Sequence, residues 1–182
     1  MSAKYSFELK SEDKRRDLPH KLLLVQHADE SREQLLLKFL AYLVFFREHL
    51  EVEPHFDPDI VAFVPAVAAT DFVGRICLWV EGGPCPVTQL DKLAVKVPEA
   101  EIWIVLRSPE DVTTLIRAMT RAELRRNRYH LLNFDPAVFD EMAGLLTQRN
   151  HAVWVSGGTG SGQIQLDFNG LWFDAELTIT PF

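Results

Sequence analysis

The chain has 182 residues, 47% of them hydrophobic and 25% charged, with twelve Phe and four Trp, enough apolar material for one real core. A net charge of −7 and a pI near 5.3 argue against a protein that coats nucleic acid through an overall basic field, and leave room only for a local basic groove. The two cysteines, Cys77 and Cys85, form no disulfide framework and match no zinc spacing. With no apolar leader at the N-terminus, and a densest apolar run (Leu35 to Phe46) that Lys38 interrupts and that is too short for a bilayer, the expectation is a cytoplasmic protein without a membrane partner.

In chain order, Tyr5 to Leu9 alternates as a strand, a charged turn covers Lys10 to Asp17, and His20 to His27 is a buried strand. Ser31 with Gln34 fits a capping box for a helix reaching to about Leu50. That helix is apolar almost all round, which places it at the centre of the molecule. Asp59 to Val64 and Phe72 to Glu81 read as strands joined by an AVAATD connection. Alternation puts Cys77, Trp79 and Glu81 on one face of the second strand. A helix over Val87 to Val97 and a strand over Glu101 to Leu106 follow, predicting a right-handed crossover between parallel strands. Ser108-Pro109 opens another helix, His130 to Phe134 is a short strand, and Asp135-Pro136 starts a helix to Gln148. Three strands finish the chain: His151 to Val155, Gln163 to Phe168 and Leu171 to Ile179, with a tight turn at Asn169-Gly170.

One candidate site stands out. Asp59 after Pro58, Glu81 at a strand end and Lys92 on the following helix are the side chains a divalent cation and a phosphodiester call for. Paired carboxylates suit Mg²⁺, the ion activates a water, and a lysine steadies the charge that builds on phosphorus. On spacing alone the plainer reading is preferred: a turn cap, an exposed strand end and a solvated lysine. Arg117, Arg121 and Arg125 recur every fourth residue and are a candidate phosphate-contacting stripe, again with a solvated helix face as the plainer reading. The run from Gly157 to Gly162 lacks the Gly-Lys-Ser/Thr ending of a phosphate loop and precedes a strand, so it reads as a hairpin loop.

Three blocks carry a resemblance over nearly the whole length: ESREQLLLKFLAYL in the first helix, ICLWVEGG followed by TQLDKLA, and the terminal VWVS and GQIQLDF segments. They resemble the YaeQ family of bacterial proteins. That resemblance implies a single domain over residues 1–182. Its α/β fold would be a variant of the PD-(D/E)xK restriction-endonuclease-like type: a mixed sheet flanked by helices, with N- and C-terminal strands forming a partial β-barrel. It implies that Asp59 and Glu81 hold Mg²⁺ or Mn²⁺, that Glu33 helps from the opposite side, and that Lys92 replaces the E-x-K lysine, whose place Gly83 occupies. Family members often carry an acid where Cys77 stands, and the Asp59–Glu81 connection is longer than usual. Two functions follow as expectations: a Mg²⁺-dependent phosphodiester hydrolase acting on nucleic acid, or a non-catalytic module that binds protein or nucleic acid and keeps the fold.

Overall fold

The computed structural model describes residues 2–182. In chain order the elements are β1 (Ala3–Ser11), β2 (Lys21–Gln26), α1 (Arg32–Val44), β3 (Leu50–Val52), β4 (Val67–Thr70), β5 (Ile76–Gly82), α2 (Val87–Lys96), β6 (Glu101–Leu106), α3 (Pro109–Arg121), β7 (Tyr129–Phe134), α4 (Pro136–Leu145), β8 (Arg149–Gly158), β9 (Gln163–Phe168) and β10 (Leu171–Pro181). The strands join in one mixed sheet in the order β2-β1-β8-β9-β10-β7-β6-β5-β4-β3. It is barrel-shaped and nearly closed, with the helices flanking it. β5 and β6 are parallel across α2, as the crossover rule requires. No helix of the described residues is long and apolar enough to cross a membrane.

Helix α1 organises the interior. Ser31 and Gln34 close the capping box at its start, and every residue from Leu35 to Val44 is buried. Phe39 stacks on Phe7 at 4.0 Å, within a core that also takes Trp154, Phe168 and one face of β5 through Leu78 and Val80. Trp79 points the other way, into a second core under α2 and α3 with Leu90, Leu93 and Met119. The helix ends at Val44, earlier than expected. Its last turn carries no basic residue, and Arg16, arriving from the β1–β2 connection, donates to the carbonyls of Leu43 and Val44. A cation there offsets the negative end of the helix.

Four expectations change between residues 57 and 77. Asp59 to Val64 is not a strand: Asp57 accepts the backbone N–H groups of Asp59, Ile60 and Val61, which folds the segment into a turn. The supposed AVAATD connection is instead β4, whose Val67, Ala68 and Ala69 are all buried. β5 begins at Ile76, because Phe72 and Val73 sit exposed at a hairpin tip. A bulge opposite Thr70 also breaks the alternation: Ile76 joins the second core, while Cys77 turns toward the first and donates to the Ala69 carbonyl. Cys77 therefore does not share a face with Trp79 and Glu81.

The free edges of the sheet are β2 and β3, so the barrel must be finished by something other than a strand ladder. Side chains do it. His27, just after β2, meets Glu53, just after β3, at 2.9 Å, and Lys38 reaches the same carboxylate from α1 at 2.7 Å. For the amine to sit there α1 must lie close to β5. Gly82 permits this: a Cβ at that position would lie 3.1 Å from Ala66 Cβ and 3.4 Å from the Lys38 backbone nitrogen. Gly82→Val is expected to push the helix off the strand and cost about 1–3 kcal/mol, read as a lower midpoint in urea denaturation.

Candidate functional site

The end of β5, the β5–α2 turn and the entry to α1 enclose a cleft of ≈350 Å³, lined among others by His27, Asp29, Glu30, Gln34, Glu81 and Gln89. Glu81 forms one wall and is only 8% exposed. Strand alternation sets Trp79 on its face, and the indole N–H donates to Glu81 Oε1 at 2.8 Å. Gln89, in the first turn of α2, donates to the same oxygen at 3.2 Å. No hydrogen bond from the described residues reaches Oε2. Burial holds the Glu81 carboxyl above the ordinary range, with the Trp79 and Gln89 hydrogen bonds opposing that shift. Cys85, also lining the cleft, is pushed far up by burial and by the Glu81 charge, and stays a thiol.

Behind the opposite wall lies Lys38, 3% exposed. Its amine is 2.7 Å from Glu30 Oε1, 2.7 Å from Glu53 Oε1 and 3.3 Å from the Val25 carbonyl oxygen. An ammonium has three donors, and these three acceptors use them all.

Of the residues expected at a cation site, Glu81 alone lines this cleft. Asp59 is exposed on its turn, where its backbone carbonyl accepts from Lys96 at the last turn of α2. Lys96 follows Gln89 by seven residues, which on a helix is about 10 Å. Lys92 is exposed on α2 between them. Glu33 lines a different depression, with Asp140 and Gly144 of α4. Among the described residues no three His, Cys, Asp or Glu side chains converge as a ligand set. The donors present thus fit only a cation that takes one or two carboxylates and keeps most of its water, which is a habit of Mg²⁺.

The arginine stripe is shorter than expected. Arg117 and Arg121 are exposed on α3, but the helix stops at Arg121 and Arg125 sits in the turn beyond it. Arg126 stacks over Phe182, and Arg128 donates to the carbonyls of Val97 and Ala100, so both have structural work.

Sequence reasoning passed over His27, Glu30, Lys38, Glu53 and Trp79. Lys38 was the available signal: a lysine amid ten consecutive buried helix residues must be paired. Its partners come from loops that carry no periodic pattern.

A family model described as YaeQ protein matches residues 2–167. The crystal structure of the YaeQ protein from Xanthomonas axonopodis pv. citri superposes with a TM-score of 0.76 at 17% identity, covering 100% of this chain and 99% of that one. The YaeQ protein from Pseudomonas syringae gives 0.72 at 15% identity, with 100% and 96% covered. At such identities the likeness is one of fold. No curated protein matches.

Two outcomes test the electrostatics. Lys38→Met is expected to cost about 3–5 kcal/mol by leaving two carboxylates without their cation. Glu53→Gln should then cost less in that background than in the wild type, a coupling that a double-mutant cycle in urea measures. For Glu81 the raised pKa fixes the sign. Its contribution to stability is fully present below the ordinary carboxylate value of 4.5 and is lost as pH rises through the higher value of the folded protein. Glu81→Gln should therefore melt like wild type near pH 4 and above it at pH 8.

Proposed function

This chain belongs to the YaeQ family, and from that premise we propose that it is a non-hydrolytic interaction module built around a nuclease-like cleft. The observation that carries this reading is the state of the one amine behind the cleft. A catalytic lysine in a phosphodiesterase must face the attacking water or the phosphate. Lys38 faces Glu30, Glu53 and the Val25 carbonyl, and is shut away from solvent. Lys92 is exposed, and neither it nor Asp59 lines the Glu81 cleft. One ammonium is shared between two carboxylates, as in a structural network.

A protein partner is supported by the β4–β5 hairpin tip. Phe72 is 93% and Val73 73% exposed. Asp71 Oδ1 accepts the N–H groups of Val73 and Arg75, while its Oδ2 accepts from the Arg75 guanidinium at 3.0 Å. Two apolar side chains on so firmly tied a turn make an anchor of the kind that dominates interface energetics.

One observation favours the other reading, a Mg²⁺- or Mn²⁺-dependent phosphodiester hydrolase. Glu81 Oε2 accepts no hydrogen bond from the described residues and its side chain lines the same cleft as Asp29 and Glu30, which suits a largely hydrated cation. In that reading the resemblance assigns Asp59 and Glu33 to the metal and Lys92 to the water, with nucleic acid lying along Arg117, Arg121 and Arg125.

The two readings part in a single assay set. The protein is incubated with single- and double-stranded DNA and RNA in millimolar Mg²⁺ or Mn²⁺. The module predicts no cleavage and no cation-dependent rise in melting temperature. Cleavage that Glu81→Ala abolishes, with a melting shift lost in the same variant, would establish the hydrolase instead. Phe72→Ser should change stability by less than about 0.5 kcal/mol, since that side chain packs on little else.

A further inference from the structure

A broad depression lies at the other end of α1 from the Glu81 cleft, about 20 Å away along a helix of thirteen residues. Its volume is ≈780 Å³, within the usual range for a small-molecule site of about 300–1,000 Å³. One wall is the glycine-rich β8–β9 loop and the other the segment Glu12–Arg16 with Arg47. Although the chain carries −7, four cations (Lys14, Arg15, Arg16, Arg47) line this depression against two carboxylates, Glu12 and Asp13.

The cations have different tasks. Arg16 forms the base: it donates to the carbonyls of Leu43, Val44 and Gly157 and lies 4.3 Å above the Trp154 ring. Its bonds to the Leu43 and Val44 carbonyls offset the negative end of α1, which would otherwise repel an anion. Arg15 holds Asp13 at 3.4 Å and so removes half of the opposing charge. Lys14 and Arg47 make no side-chain hydrogen bond or ion pair with any described residue, and keep their charge for a ligand.

Across from them the loop supplies donors. A Cβ on Gly157 would lie 2.8 Å from Ile164 Cα, and its φ of +103° suits only glycine, so the loop is pinned hard against β9. Beyond it, the backbone N–H groups of Thr159, Gly160 and Ser161 donate to no described group. Unpaired amides and unpaired cations lining one depression recognise oxyanions.

We propose that this depression binds a small phosphate-bearing ligand, with Lys14 and Arg47 gripping the phosphate from one side and the 159–161 amides from the other. A small ester is favoured over a polymer because the chain as a whole carries −7 and repels an extended polyanion. The site is independent of the cleft at Glu81.

Calorimetric titration of the full chain with inorganic pyrophosphate, with a nucleoside triphosphate and with a single-stranded oligonucleotide tests it. Saturable binding of pyrophosphate or the triphosphate is expected, weakened at least about tenfold by Lys14→Gln/Arg47→Gln. The matched pair Arg117→Gln/Arg121→Gln, which removes equal charge from α3, should leave binding unchanged, and circular dichroism should show both variants folded. Absence of binding by either small anion overturns the proposal. So does equal loss in both variants, which would mean a diffuse charge effect, and so does an oligonucleotide bound more tightly than the triphosphate. If the first pair does not fold, Arg47→Gln alone should still weaken binding, and an unchanged affinity in it counts against the site.

Discussion

A single buried ammonium group ties this architecture together. Taking a lysine out of water costs several kcal/mol unless its charge is matched and each donor is used. Lys38 meets both conditions with Glu30, Glu53 and the Val25 carbonyl. Those partners belong to the two ends of a sheet that stops short of closing. Glu53 follows β3, Val25 lies in β2, and His27 adds a second link across the gap. A strand ladder would have sealed the barrel with backbone bonds. Here an ion network spans the gap, and the inner helix supplies the cation.

That solution constrains the chemistry nearby. The cleft at Glu81 shares Glu30 and His27 with the seam, so a change that freed Lys38 for a ligand would also loosen the barrel. Glu81 is itself in a compromise: burial favours its neutral form, while the indole and amide donors favour the anion. The fold family is therefore a poor guide to activity in this chain, because function depends on where particular side chains point.

Much of the framework could be read in the residues. The Ser31–Gln34 capping box, the parallel β5–β6 pair and the Asn169-Gly170 turn, both residues of which take positive φ, each rest on local chemistry that tertiary context did not override. β4 was missed because Ala68 and Ala69 have weak strand preference and leave Val67 alone to signal a strand, although Val67 and Ala69 pack into the first core. Cys77 was misplaced because a bulge leaves no mark in a strict two-residue alternation. At the candidate site Glu81 was legible as the acid closing an apolar strand. The partners of Lys38 were not, since His27, Glu30 and Glu53 meet it only through the closing of the sheet.

The position of the first strand sets a schedule for the living cell. β1 has β2 on one side, but on the other it runs parallel to β8, with Ser6 opposite Arg149. During synthesis that flank stays bare until most of the polypeptide has left the ribosome, and contacts so distant along the chain form slowly. The nascent amino-terminal hairpin, with Phe7 and Leu9 still uncovered, is the segment on which a chaperone has most to do.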